Sequence, residues 1–347
     1  MRRILIITDA AEPQINGVVR TLKSTIDEIN KRKDYDVFMI TPADFKVINF
    51  PKWLRIEQEI SFAYNIEKKL AKMIAGYDPE FIHIAVEGLL GIAARKYCLK
   101  NDLKFTTAYH TKFPEYLWHR FWIPTFLGYA YMRWFHKHSS TVMVATKSLE
   151  KSLIEHGFTN VFKHWSRGVD IELFNPEKRF TRAKIIKEPK YALTVGRVSH
   201  EKNVEEFLKA DIGNILKVVI GDGPIKNKLE KKYKNKNVTF LGTKTGDELA
   251  WCYANADVFV FPSKSDTFGL VLIEALASGT PVVGYDVPSP CDIITDEVGI
   301  LSKKNNLSDA ITEAMTKDRT KCRELVENNY TWEIATNQFI ENLVPIR

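Results

Sequence analysis

Residues 261–281, FPSKSDTFGLVLIEALASGTP, decide how this chain is read. An apolar run ends at Pro262, a polar turn follows, and a helix is expected to open at about Phe268–Gly269. A helix start leaves backbone N–H groups unpaired and carries the positive end of the helix dipole, which suits phosphate. Asp266 lies just before this helix, and Glu274 lies eight positions on, a little over a turn inside it. Carboxylates accept hydrogen bonds from hydroxyls. One element can therefore hold a molecule that carries both phosphate and sugar.

The same strand-then-helix style runs outward in both directions. Toward the N-terminus, strand-like runs are expected at Arg3–Thr8, Asp36–Ile40, Phe81–Ala85, Lys104–Tyr109 and Thr141–Ala145. Val19–Asn30 has helical spacing of Leu22, Ile26 and Ile29. The second half repeats the pattern with Tyr191–Val195, Leu216–Ile220, Val238–Leu241, Asp257–Phe261 and Pro281–Gly284. Such alternation implies parallel sheets joined by crossover helices. The 347 residues, 45% of them apolar, suit two domains with a core each. Asn175–Pro176 and the charged residues after it break the pattern and mark a boundary near Phe174–Lys187. Two such domains in series imply a central cleft, with ligands held after the strands' C-terminal ends.

Several function classes are set aside on composition. No run of 18 apolar residues is present, so no spanning helix is expected. MRRILIITDA at the start is a first strand rather than a secretion signal. The four cysteines, Cys98, Cys252, Cys291 and Cys322, are scattered and point to free, packed thiols in a reducing compartment. Lys226–Lys236 holds six lysines and is most simply a solvated helix face. There is no GxSxG, HExxH or Walker motif and no DxD-like pair in a suitable loop, so no metal and no cofactor is expected.

Four further segments follow strands and can carry chemistry. Glu12–Arg20 (EPQINGVVR) places Gly17 where backbone can approach a ligand, although a plain strand–helix turn explains it equally. Tyr191–Asn203 (YALTVGRVSHEKN) sets Arg197 and Lys202 on one loop, where two cations suit a diphosphate. Gly221 and Gly223 in IGDGP permit a tight turn near a nucleotide. His110 ends a strand in AYHTKFPEYL, a position for a sugar contact or proton handling as well as for a structural histidine.

In combination these segments resemble the retaining, nucleotide-sugar-dependent family 4 glycosyltransferases of the GT-B fold. The resemblance runs through NGVVRTL (16–22), YHTKFPEYL (109–117), RGVDIELFNP (167–176), VGRVSHEKN (195–203), GDGP (221–224) and PSKSDTFGLVLIEALASGTPV (262–282). It is strongest for the branch of mannosyltransferases and lipid glycosyltransferases such as sulfoquinovosyl-diacylglycerol synthase. SDTFG stands where ESFG is more common, so the family's Glu-x7-Glu pair appears as Asp266 and Glu274, one carboxylate shorter by a methylene. The resemblance implies an α/β GT-B fold with two Rossmann-like domains facing a central cleft. They would be 1–175 for the acceptor and 185–328 for the nucleotide sugar, with a helix in 329–347 crossing back. It further implies that Glu274 holds the ribose. Asp266, with the N–H groups of Thr267, Phe268 and Gly269, would hold the donor sugar and distal phosphate. Arg197 and Lys202 would neutralise the diphosphate leaving group. Gly17 would sit at that phosphate, Gly221 at the nucleotide, and His110 at the sugar near the reacting carbon. Domain closure would exclude water.

The acceptor is read from charge and aromatics. Residues 1–170 hold 25 Lys+Arg against 18 Asp+Glu, while 171–347 hold 25 of each, so the whole formal charge of +7 lies in the first half. Tyr116–Ser140 carries nine aromatics and three histidines, with no acidic residue from Tyr116 to Leu149. Trp118, Arg120, Phe121, Trp122, Arg133, Trp134 and Lys137 form a basic, aromatic set that fits an anionic membrane surface. A buried helix pair is the structural alternative. The expected protein is a cytoplasmic enzyme, peripheral at the inner membrane face, that moves a hexose from a UDP- or GDP-sugar to diacylglycerol or a glycolipid. Alternatives are transfer to a soluble or polyprenyl-linked saccharide in cell-surface polysaccharide assembly, or a nucleotide-sugar-binding module without turnover. Nucleic acid is not an expected partner, because no recognition motif accompanies the pI of about 9.0.

Overall fold

The computed structural model describes all residues except 13, 15, 46, 49–61, 64–65, 180–185, 187–189, 235 and 304–305. For 47–48, 62–63, 116 and 119–121 it describes the backbone alone. The chain opens with β1 (Arg2–Ile7), α1 (Gly17–Asn30) and β2 (Tyr35–Ile40), followed by a short antiparallel pair, β3 (Val47–Ile48) and β4 (Phe62–Ala63). Then come α2 (Ile66–Tyr77), β5 (Phe81–Ile84), α3 (Leu89–Lys100), β6 (Thr106–Tyr109), α4 (Phe113–Phe121), α5 (Thr125–His136), β7 (Thr141–Val144), α6 (Lys147–Glu155) and β8 (Phe162–His164). The second half runs β9 (Tyr191–Val195), α7 (Val204–Lys209), β10 (Leu216–Ile220), α8 (Lys226–Tyr233), β11 (Val238–Phe240), α9 (Gly246–Asn255), β12 (Val258–Phe261) and α10 (Leu270–Ala277). It ends with β13 (Val282–Tyr285), α11 (Pro290–Ile293), β14 (Gly299–Ser302), α12 (Leu307–Ala314), α13 (Arg319–Asn329) and α14 (Trp332–Asn342).

Two six-stranded parallel sheets result, ordered β2-β1-β5-β6-β7-β8 and β11-β10-β9-β12-β13-β14. This is an α/β architecture of two Rossmann-like domains. The inner strands β1, β5, β6, β7, β10, β12 and β13 are buried on successive residues because both faces of each sheet are covered there. Ile4 and Ile6 of β1 pack with Leu22 and Ile29 of α1 and with Phe339 and Leu343, while Leu5 and Ile7 pack with α2 and α3 through Leu70, Ile74, Leu90 and Ala94. In the second sheet Val258 and Val260 meet α7 and α12 through Phe207, Leu208, Leu307 and Ile311. Phe259, pointing the other way, lies with its ring 5.5 Å from that of Tyr253 in α9. Removing each such side chain from water contributes about 1.5–3 kcal/mol.

The compact units are Met1–Ser166 with Ala335–Arg347, and Arg167–Ile334. The first division thus falls at Ser166–Arg167, earlier than the expected ends at 175 and 185. Residues after 166 are tied into the second unit by Val169 N–H to Tyr330 O (2.9 Å) and by Arg323 Nη1 to Ile171 O (3.0 Å) and Phe174 O (2.8 Å). The second division falls inside α14 rather than at 328–329. Within the first unit the chain end is fixed by Lys104 N–H to Ile346 O (2.9 Å) and Ile346 N–H to Glu80 O (3.0 Å). Cys98, Cys252 and Cys322 are buried free thiols, but Cys291 is exposed, so the expectation of packed thiols fails there. It lies beside Pro290 in the one-turn helix α11.

The second sheet's loops approach one another closely. A Cβ on Gly221, whose φ is +134°, would lie 1.9 Å from the carbonyl oxygen of Gly196. Gly221→Ala should therefore lower the urea unfolding free energy by about 3 kcal/mol or more, since both backbone strain and overlap oppose it. A loss under about 1 kcal/mol in equilibrium unfolding would show that this loop yields freely.

Candidate functional site

Topology selects where to look. Strand β9 is flanked by β10 on one side and β12 on the other, so the crossover after β9 and the one after β12 run in opposite directions. At such a switch point the two diverging loops open a space at the strands' carboxyl ends. The loop after β9 carries Arg197 and Lys202, and the loop after β12 carries Asp266. The side chains of Lys202 and Asp266, 64 positions apart in sequence, form an ion pair here. Lys202 closes a short 3-10 turn, His200–Lys202, and Asn203 then turns left-handed (φ +51°) to start α7. Arg197 is exposed on the same loop. Val198 N–H donates to Asp222 O (2.9 Å), joining this loop to the one after β10.

Helix α10 starts at Leu270, a residue or two later than expected, because Gly269 adopts φ +88° and serves as its N-cap. Leu272 N–H closes the first turn on Gly269 O (2.9 Å). Phe268 is buried, with its ring edge-on to Tyr330 at 5.9 Å, and its carbonyl accepts from the Ser289 hydroxyl. Glu274 is only 2% exposed, and its Oε2 accepts from Tyr253 OH at 2.9 Å. The carboxylate is thus held from the core side by α9. Gly221, placed by the sequence at the nucleotide, packs against Gly196 O and donates its N–H to Gly242 O (2.8 Å).

The first sheet has its own switch point, between β1 and β5. Asp9 follows β1 and caps α3, with Oδ1 accepting from Leu90 N–H (2.9 Å) and Oδ2 from Gly91 N–H (3.2 Å). Gly17 is the exposed first residue of α1, whose N-cap is Asn16, its side chain accepting from Val18 N–H and Val19 N–H at 3.0 Å. His110 follows β6, is buried, and stands edge-on to Trp165 with ring centroids 5.5 Å apart. Nearby, His136 joins Thr107 Oγ1 (2.8 Å) to Glu87 Oε1 (3.1 Å).

The aromatic segment forms the helix pair α4 and α5. Tyr129, Met132, Phe135 and His136 face the core. Trp118, Trp122, Phe126, Leu127 and Trp134 are exposed, Trp122 most of all at 76%. Lys137 is exposed as well. Arg133 donates to His156 O (2.8 Å) at the end of α6, so this guanidinium is engaged by a helix terminus. The side chains of Arg120 and Phe121 lie outside the described residues. Among the described residues no helix is long and apolar enough to cross a membrane, and no group of three or more His, Cys, Asp or Glu could hold a metal ion.

The sequence alone singled out Lys202 and Asp266, which pair after β9 and β12. It missed Tyr253, Ser289 and Asp9. Tyr253 gave no signal, being one more aromatic on a buried helix. Ser289 was legible as a cap, since Pro290 and Asp292 follow it in the pattern of a capping box. Asp9 was visible directly after the first strand.

Residues 15–173 match the family model described as Glycosyltransferase Family 4, and residues 176–332 match Glycosyl transferases group 1. The sulfoquinovosyl transferase SQD2 of Arabidopsis thaliana is 31% identical over 306 residues, 81% of this chain but 59% of that protein. The alpha-monoglucosyldiacylglycerol synthase of Streptococcus pneumoniae is 28% identical over 353 residues, 90% of this chain and 78% of that one. Among solved structures, sucrose-phosphate synthase of Thermosynechococcus elongatus matches with a TM-score of 0.78 over 98% of both chains at 20% identity, a likeness of fold.

Burial raises the Asp9 carboxyl above its ordinary 3.8, opposed by the N–H groups of Leu90, Gly91 and Leu89. Between 3.8 and the raised value the folded chain keeps a proton that the unfolded chain releases. Stability from this group is therefore full at the acid side and declines as pH rises through that window. Asp9→Asn should flatten the decline in urea midpoints measured from about pH 4 to about pH 7; parallel curves for the two proteins would refute it.

Proposed function

This chain belongs to glycosyltransferase family 4, and from that premise we propose that it moves a hexose from a nucleotide diphosphate sugar to a lipid acceptor at a membrane surface, with retention and without a metal ion. The observation that carries the donor half is the meeting of Lys202 and Asp266 at the switch point of the second sheet. The reaction breaks the bond between the anomeric carbon and the diphosphate oxygen, which keeps the electron pair. The acceptor hydroxyl oxygen bonds the same carbon and passes its proton to the departing diphosphate. Negative charge therefore builds on the diphosphate. Arg197, Lys202 and the N–H groups of Thr267, Phe268 and Gly269 are the groups we assign to it, since fixed donors aimed at developing charge lower the barrier most. Asp266 has two tasks in this reading. It holds the Lys202 ammonium in place, and it accepts from donor-sugar hydroxyls. Glu274, kept by Tyr253, is assigned to the ribose, and Gly221 to the backbone turn beside the nucleotide. For Gly17 and His110 we keep the roles that the resemblance implies, against phosphate and donor sugar.

The acceptor half is supported by the outer face of α4 and α5. Exposed Trp118, Trp122, Phe126, Leu127 and Trp134 with Lys137 give apolar and cationic groups on one helix pair. Indole rings favour the headgroup level, and each nearby cation adds about 1 kcal/mol on anionic lipid. We assign this face to peripheral docking at the inner membrane surface and diacylglycerol or a simple glycolipid to the acceptor.

Arg197→Ala and Lys202→Ala should each reduce turnover about a hundred-fold or more, read as nucleoside diphosphate released from UDP- and GDP-hexoses over diacylglycerol vesicles. Near-normal rates in both variants would misplace the donor site. Chelation with EDTA should leave the rate unchanged; an EDTA-sensitive rate restored by a divalent ion would overturn the metal-free reading. Co-sedimentation with vesicles should rise with anionic lipid, fall with salt, and weaken in Trp118→Ala/Trp122→Ala. Insensitivity to all three would transfer the reading to a soluble saccharide acceptor.

A further inference from the structure

Ser289 stands out in the second unit on conformation alone. Its φ and ψ are 89° and −68°, among five non-glycine residues with positive φ in the described chain. These angles lie near the rare, strained γ-turn, which glycine adopts without penalty. A serine there supplies what glycine cannot, a hydroxyl. That side chain is 1% exposed, and it donates to the carbonyl oxygen of Phe268. The backbone that strains to deliver it is clamped from its other side. Asp292 Oδ2 accepts from Ser289 N–H (3.3 Å), Asp292 N–H returns to Ser289 O (3.1 Å), and Pro290 packs on Gly284 at the end of β13. Strain that the surroundings hold in place is common at ligand sites.

What the hydroxyl does follows from peptide geometry. The carbonyl of Phe268 and the N–H of Gly269 share one rigid plane and point in opposite directions. A bond that fixes the first therefore fixes the second. Phe268 has no slack elsewhere, because its ring meets Tyr330 and Gly269 sits against Phe261 and Leu272. We infer that Ser289 is a positioning residue for the donor's distal phosphate, aiming the Gly269 N–H by holding the Phe268 carbonyl from behind. The inference rests on the donor site proposed above and adds to it a residue from the next strand's loop. Ser289 itself touches no substrate.

The test separates distal phosphate from the rest of the nucleotide. Dissociation constants are measured calorimetrically for UDP, GDP, UMP and GMP with the wild type, Ser289→Ala and Ser289→Gly. Both variants lack the hydroxyl, and the glycine variant is free of the backbone strain, so it folds even where alanine does not. Each should bind whichever diphosphate the wild type prefers about five- to ten-fold more weakly, the worth of one hydrogen bond, with the matching monophosphate unchanged within about two-fold. Unchanged diphosphate affinity in both variants, or equal weakening of mono- and diphosphate, overturns the inference. A wild type that binds neither diphosphate overturns the donor site and this inference together, whereas wild-type binding with unaltered variants overturns this inference alone.

Discussion

Lys202 and Asp266 meet because β9 and β12 are neighbours in a parallel sheet, and the donor site proposed for the second unit depends on that contact. Their side chains are 30% and 22% exposed, so the pair is neither fully hydrated nor sealed in the core. A pair in that setting contributes little net stability, since desolvation offsets much of its attraction. Its value lies in placement. An ammonium on a four-carbon stem has many rotamers, and a carboxylate across the loop fixes one of them before any anion arrives. Arg197 lies on the same loop and adds a second cation to it.

The loops that carry these side chains are themselves held by backbone contacts that exclude Cβ atoms. Gly221 fits against Gly196 O, and a Cβ on Gly223 would lie 2.3 Å from Val198 O. Both glycines in IGDGP thus bring the β10 loop against the β9 loop. The sequence offered a tight turn near a nucleotide as their purpose. The structure adds a nearer reason, which is that a side chain at either place would push the Arg197–Lys202 loop off its strand. Helix α10 depends on glycine differently. Gly269 begins it in a left-handed conformation, which leaves the helix start to be aimed by neighbours on other strands.

Most of the sheet framework was legible because the strands are short apolar runs buried on both faces, the pattern that parallel sheets impose. The strands that escaped lie at the edges. Phe162–His164 reads FKH and Gly299–Ser302 reads GILS, each with partly exposed positions, so neither shows a continuous apolar run. The site was legible for the same topological reason, in that residues directly after strands are the ones a parallel sheet presents. What stayed hidden are partners supplied across the fold. Tyr253 reaches Glu274 from 21 positions away, and Ser289 reaches Phe268 across the same separation. Local spacing carries no trace of such contacts. The division between units was displaced for a related reason, because the side chain of Arg323 draws residues 171–174 across a break in composition.

The aromatic segment divides between the core and the surface. Its 25 residues offered either a buried helix pair or a surface for lipid, and α5 has one buried face and one exposed face. Tyr129, Met132, Phe135 and His136 repeat at helical spacing and fill the core. Phe126, Leu127 and Trp134 take the opposite side, and Trp122 extends the exposed set at the end of α4. Trp134 does not stand alone, since the Arg95 guanidinium lies over its ring at 4.4 Å and donates to its carbonyl (3.0 Å). The outward indole is therefore fixed in place by a buried cation, and its exposure is a property of the helix's attachment. A side chain left loose at a surface can fold back onto the protein; this one is braced to stay outward.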